Sequence, residues 1–342
     1  MTDLSVWLSL HFARTKRLAP DWIVSLVDSL SSGGNSSKRK LPYHCQSSAT
    51  DNPFFIVGCG RSGNTLLRTQ LMARYDVCIP PEIPGMGNTI RSFTRSRGLE
   101  WESAVERTLK AFRTNADVDR IFPGSDKKYN LNDELAIDYD ALTRRLAALD
   151  DADKSLSAII TGLYRSYLDN KEMTGARIGD KTPWNVFHLD RIARVFPDAA
   201  YVNLIRDPRA VVASYLNNFN GVRNLSVAEA AYRWKDAVHV VERFKIKHPS
   251  SCLDLKYEDL VSHPDDEIDG VASFLSLDAL TGERAGVSFG DEALPHYQKA
   301  FKAVDTQSVE KWKHLLSKSD VRKIESICGQ KMVEFGYRPD DE

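Results

Sequence analysis

Phe54 to Leu67, reading FFIVGCGRSGNTLL, runs from an apolar strand through a glycine-bounded loop into a helix, and no other stretch constrains the fold as tightly. Glycines at 58, 60 and 63 supply positive φ and room for a sharp turn. The spacing Gly58-x-x-x-x-Gly63-x-Thr65 is that of a phosphate-binding loop, whose backbone amides and helix dipole hold an anion. Asn64, however, stands where a nucleotidase loop carries the lysine that reaches the β and γ phosphates. The loop's cation is Arg61 instead. An arginine between two glycines at a helix mouth adds positive charge where the dipole is already positive, which is unfavourable unless an anion sits there. A plain turn with Ser62 or Asn64 as cap explains the glycines but not Arg61. The arginine points to a terminal phosphate or sulfate.

A second strand runs into a helix over Tyr201 to Asn217, YVNLIRDPRAVVASYLN. Tyr201 to Ile205 is a short run of mostly apolar residues, Arg206 ends it, and Pro208 suits the first turn of a helix. Ser214 follows Arg206 by eight residues, so a strand-end guanidinium and a hydroxyl two helical turns away can approach one phosphate if the chain bends back between them. An Arg206–Asp207 ion pair and a buried helix hydroxyl form the bland alternative. Periodicity turns Arg209 toward solvent. One phosphate at each strand end implies a doubly phosphorylated nucleotide.

These two segments, in this order, resemble the PAPS-dependent sulfotransferases, which carry a 5′-phosphosulfate loop like GCGRSGNTLL and a 3′-phosphate segment like LIRDPRAVVASY. Gly179 to Asn185 (GDKTPWN) and Leu255 to Pro264 (LKYEDLVSHP) match the same family's habits, and the resemblance spans roughly residues 53 to 337. It is nearest to the tyrosylprotein sulfotransferases and their bacterial relatives. The resemblance implies PAPS as co-substrate without a metal. It implies donor contacts from Gly60, Arg61, Ser62, Gly63, Asn64, Thr65, Leu66, Arg206 and Ser214. Glu82 lies 21 residues after Arg61, where a glutamate in these relatives is the catalytic base. A loop carboxylate bonded to nearby amides is the competing reading. Histidine is the base in the cytosolic small-molecule branch, but no KTH motif occurs here, and His188 reads as structural.

Lys181 is either a surface lysine before a helix capped by Thr182 and started by Pro183, or, as the resemblance implies, a stabiliser of the transferring group beside Arg61 and Glu82. Asn185 reads as a brace for the nearby loop. Ser308 and Lys311, in TQSVEKWKHLL, either open a helical hairpin with a buried Trp312 or touch the nucleotide, as a C-terminal segment does in relatives. Arg91, Arg95 and Arg97 read as a solvated basic loop, with selection of an acidic or sulfated acceptor as the alternative. The acceptor's hydroxyl is left open among tyrosyl peptide, carbohydrate, and lipid or small-molecule alcohol. Two rival functions stand beside sulfuryl transfer. One is a P-loop kinase or hydrolase, which Asn64 disfavours; the other is a protein that binds PAP without turnover.

The repeated strand-to-helix units predict an α/β, P-loop-like three-layer fold with a central parallel sheet flanked by helices. Strands are expected near 54–58, 177–179, 201–205 and 251–256, with helices over 183–195, 208–218, 226–247, 264–275 and 318–335. With 342 residues and 42% apolar content the chain can bury a full core as one domain with additions. The expected division is an N-terminal helical segment over 1–30, a Ser- and Gly-rich linker over 31–52, and a catalytic domain over 53–340. Within that domain, 99–170 reads as a helical insertion that caps the sheet edge and shapes the acceptor cleft. Tyr75 to Asn88 reads as a non-helical connection. Lys plus Arg total 46 against 47 acids, so no global field attracts nucleic acid. Five scattered cysteines without a C-x-x-C pair predict reduced thiols and no zinc. No signal peptide or membrane span is read near the start, which predicts a cytoplasmic protein. The apolar stripe of the first 30 residues is expected to pack on its own protein or on a sister subunit in a homodimer.

Overall fold

The protein is described here from a computed structural model, which covers residues 52–83, 85–115, 135–173, 175–218, 225–281 and 306–339. The helical segment expected over 1–30, and the linker up to its last residue, lie outside the described residues. In chain order the elements are β1 (Phe54–Gly58), α1 (Asn64–Arg74), β2 (Val77–Cys78), α2 (Met86–Thr94), α3 (Trp101–Asn115), α4 (Tyr139–Ala147) and α5 (Leu156–Asn170). Next come β3 (Arg177–Lys181), a 3-10 helix at Pro183–His188, α6 (Leu189–Val195), β4 (Tyr201–Ile205), α7 (Pro208–Asn218), α8 (Val227–Lys247) and β5 (Cys252–Lys256). The chain then forms α9 (Tyr257–Ser262), α10 (Pro264–Leu275), a 3-10 turn at Thr306–Val309, α11 (Trp312–Leu315) and α12 (Lys318–Glu334).

The five strands form one parallel sheet in the order β2-β3-β1-β4-β5. β1 is central and fully enclosed: Phe54, Phe55, Ile56 and Val57 are each 0% exposed, which is why this strand reads as a continuous apolar run rather than an alternation. The pleat still sorts its side chains. Phe54 and Ile56 join Leu67 and Leu71 of α1 and Ile268 of α10 on one face. Phe55 and Val57 join Leu163 and Tyr164 of α5 and Val238 of α8 on the other. β1 feeds α1 onto the first face, while its neighbour β4 feeds α7, through Val211 and Val212, onto the second. Adjacent strands whose helices leave to opposite faces open a crevice at their C-terminal ends, where α/β sheets hold ligands.

Capping chemistry sets where the longer helices begin. Ser226 and Glu229 form a reciprocal capping box before α8, as do Ser317 and Asp320 before α12. Two local expectations are corrected. The 75–88 connection contains the short strand β2, and α2 already begins at Met86 behind Gly85, whose φ of 112° makes the turn. The helix expected over 183–195 is split at His188, with Pro183 opening a 3-10 segment. Of the insertion, α5 sends the Tyr164 hydroxyl 2.6 Å from Asp180 Oδ2 on β3.

Candidate functional site

The C-terminal ends of β1, β3 and β4, with the loop after β2, converge on one corner of the crevice. At the end of β1 the chain turns within five residues, which only small backbone positions permit. A Cβ at Gly58 would lie 2.4 Å from the Leu204 carbonyl oxygen, and one at Gly63, where φ is 99°, would lie 2.4 Å from the Tyr257 ring. Arg61 itself adopts φ 71°, a left-handed backbone that is costly for a side chain of this size. The helical ladder of α1 starts with Leu67 N–H on the Gly63 carbonyl at 3.1 Å. The amides of Asn64, Thr65 and Leu66 therefore precede it at the helix mouth. Asn64 spends its side chain on the loop, with Nδ2 donating to the Cys59 carbonyl at 3.1 Å, so only its amide faces outward. Leu66 is buried in the core and likewise offers its backbone alone.

Arg61 and Ser214, 153 residues apart, meet directly: Nε donates to Oγ at 3.0 Å. Arg206 reaches the same loop, its Nη1 donating to the Arg61 carbonyl at 3.2 Å and its Nη2 to the Ser308 carbonyl at 2.8 Å. Its guanidinium lies 4.0 Å from the Tyr257 ring centroid, and the Tyr257 hydroxyl is 2.5 Å from Ser308 Oγ. The two motifs and the C-terminal turn thus share one cleft. Lys311 stands exposed three residues beyond Ser308.

The Arg206–Asp207 ion pair of the bland alternative does not form. Asp207 takes Arg209 instead, at 2.7 Å, and Glu325 of α12 takes the same arginine at 3.0 Å. Arg209 is therefore buried rather than turned to solvent, lying 4.1 Å from the Trp312 ring centroid, because α11 and α12 cover the side of α7 that periodicity left open. Arg206 is left with carbonyl acceptors and a ring. Nearby, Glu258 of α9 accepts from the Asp207 amide at 3.1 Å and from the Tyr337 hydroxyl at 2.7 Å, bracing the turn into α7. Burial holds the Glu258 carboxyl above its ordinary 4.5, with those hydrogen bonds opposing the shift.

On the β3 side, the fully buried Lys181 ammonium donates to Glu82 Oε1 at 2.7 Å and to Thr65 Oγ1 at 3.2 Å. Glu82, with its side chain 28% exposed, faces the cleft mouth. A buried relay behind it fixes the loop. The Ile83 amide donates to Thr182 Oγ1 at 3.0 Å, Thr182 hydrogen-bonds Asp180, and Asp180 also accepts from Tyr164 and, at 2.8 Å, from Asn185 Nδ2. Burial raises the Asp180 carboxyl, and these hydrogen bonds pull against it. Sequence reasoning found Asn185 but missed Asp180 and Tyr164, whose only signals were a carboxylate inside an otherwise apolar strand and a tyrosine on an apolar helix. His188 closes on Gly87, its ring within 2.6 Å of where a Cβ would sit, and braces the start of α2.

With the geometry in place, comparison with known proteins gives the family: the model described as "Sulfotransferase family" matches residues 53–281. The chain belongs to the sulfotransferase family. It is 23% identical over 298 residues to "Protein-tyrosine sulfotransferase 1" of Danio rerio, covering 83% of this chain and 72% of that one. It is 26% identical over 314 residues to "Nodulation protein NoeE" of Sinorhizobium fredii, covering 83% of this chain and 65% of the relative's length. Among solved structures, a sulfotransferase domain from the curacin biosynthetic pathway superposes with TM-score 0.51 at 17% identity, covering 86% of this chain and 98% of that one. One from the Synechococcus PCC 7002 olefin synthase gives 0.51 at 20% identity, covering 87% and 98%. Both are similar in fold, with the same layered α/β build. Among the described residues, no helix of this sulfotransferase is long and apolar enough to cross a membrane.

Proposed function

We propose that this chain transfers the sulfuryl group of PAPS to a hydroxyl acceptor, giving a sulfate ester and adenosine 3′,5′-bisphosphate. The observation that carries the reading is the meeting of Arg61, Ser214 and Arg206 in one cleft, within 3.2 Å of one another through side chain and backbone. The residues present fit such a donor. Among the described residues, the buried Ser62 Oγ and Arg206 Nε have no hydrogen-bond partner, and Arg206 is bonded to no carboxylate. Gly58, Gly60 and Gly63 let the loop turn tightly against Leu204, Tyr215 and Tyr257.

The helix-mouth amides, Arg61 and Thr65 hold the 5′ end, while Arg206, Ser214 and Ser308 hold the 3′ end; Lys311 is assigned to the same nucleotide. PAPS supplies an activated sulfuryl group with a good leaving phosphate. Lys181 and Arg61 stabilise the negative charge that gathers on the leaving side. Glu82 takes the acceptor's proton as the new bond forms, and its contact with Lys181 keeps base and cation within one reach. Holding both reactants makes the encounter effectively unimolecular. The buried thiols of Cys59, Cys252 and Cys328, none of them in a disulfide, support reading the protein as one of the reducing cytoplasm. Incubation with 35S-labelled PAPS and a panel of phenols, sugars and alcohols tests the reading. Transfer of label to a hydroxyl is expected, and PAP binding without transfer to any of them contradicts it.

A further inference from the structure

Arg233, on α8, takes no part in the interactions described so far. Its guanidinium carbon lies 5.7 Å from the Trp184 ring centroid and 5.8 Å from that of Tyr215, so two π faces hold it in place. It is half-buried. Among the described residues it makes no hydrogen bond or ion pair, whereas Arg209 engages two carboxylates. A guanidinium fixed by rings, with its five N–H donors unspent, is pre-organised for a planar oxyanion.

Its position gives that feature a purpose. The Tyr215 hydroxyl hydrogen-bonds Cys59 and lies 2.4 Å from where a Gly60 Cβ would be, and the charges of both Arg61 and Arg233 act on it. Arg233 therefore stands one aromatic ring away from the reactive end of the loop. Trp184 follows Lys181 by three residues on the 3-10 helix whose His188 braces α2. Tyr215 packs in the core on one face of the sheet, whereas Tyr257, which carries Arg206, packs on the opposite face. Arg233 thus flanks the acceptor side of the reacting centre and not the nucleotide's sugar end. Asp236, one turn further along α8, acts on Cys59 in the opposite sense.

We propose that Arg233 is an acceptor subsite that takes a carboxylate or similar oxyanion carried by the hydroxyl acceptor, with Trp184 as its aromatic wall. The proposal rests on the sulfotransfer reading and adds to it a selection for anionic acceptors over neutral ones of the same shape. The test is calorimetric titration of PAP-saturated protein with 4-hydroxyphenylacetate and its neutral amide, 4-hydroxyphenylacetamide. The wild type should bind the carboxylate about tenfold more tightly than the amide, the effect of one charge-assisted pair. Arg233→Gln should abolish that preference with PAP affinity unchanged, and Arg233→Lys should keep part of it. Wild-type protein that holds PAP but shows no preference, or a preference that survives in Arg233→Gln, overturns the subsite and leaves sulfotransfer standing. A tenfold loss of PAP affinity in Arg233→Gln also overturns it, by moving Arg233 to the nucleotide. Failure of the wild type to bind PAP defeats the sulfotransfer reading itself.

Discussion

Glu82 and Lys181 sit 2.7 Å apart, with the ammonium fully buried and the carboxylate at the cleft mouth, which suits a base that must meet an incoming hydroxyl while a fixed cation waits behind it. Glu82→Gln should keep PAP affinity and lower the transfer rate by about two to four orders of magnitude, the usual cost of a lost general base. Turnover near that of the wild type would remove Glu82 from the chemistry. Glu258 gives a second test at this scale, through pH. Its folded-state pKa is raised above its ordinary 4.5, so its contribution to stability is full below that value and is lost as pH rises through the folded pKa. Urea unfolding should therefore show the wild type losing ground to Glu258→Gln as pH rises above its ordinary 4.5. A difference that stays flat over this rise contradicts the sign.

Between residues and fold lie the loops, where most of the geometry is set. The 79–83 segment carrying Glu82 is tied to the end of β3 by the Lys181–Glu82 ion pair and by a hydrogen bond from the Ile83 amide to Thr182, which in turn leans on Asp180. Thr182→Val should speed hydrogen exchange across residues 79–90 and lower turnover about tenfold with PAP affinity intact, as expected when a buried hydrogen bond of roughly 1 kcal/mol or more is lost. Thr182→Ser should restore both; unchanged exchange in the valine variant would show that the relay does not hold the loop. At the β1 turn, Gly63→Ala meets both a φ of 99° and the Tyr257 ring, and should cost about 1–3 kcal/mol in chemical denaturation. What was legible in sequence follows from what is local. A strand end, a glycine turn and a helix start are written in consecutive residues, so the positions of Arg61, Thr65, Arg206 and Ser214 could be read directly. The Asp180–Tyr164 bond and the burial of Arg209 depend on which helix covers which face. Apolar periodicity leaves that open because α5 and α7 each have more than one side suited to packing.

At the scale of the whole molecule, the sheet order places β1 between β3 and β4, so the Lys181–Glu82 pair from β3 and the loop after β2 falls on one side of the glycine turn and the Arg206 cluster on the other. That arrangement brings segments far apart in sequence to one cleft. The flat charge balance of 46 bases and 47 acids is compatible with the proposed anion binding, because Arg61, Lys181 and Arg206 are gathered locally at strand ends. The central claim is that Arg61 and Arg206 hold opposite ends of a single doubly phosphorylated nucleotide. It is tested most directly by titrating PAP and 5′-AMP into the wild type and Arg206→Ala. The account predicts that the wild type prefers PAP by about two orders of magnitude, as expected for a charge-assisted contact and a hydroxyl on one phosphate, and that Arg206→Ala loses the preference while still binding AMP. Equal affinity of the wild type for both nucleotides, or a preference that persists without Arg206, would contradict it.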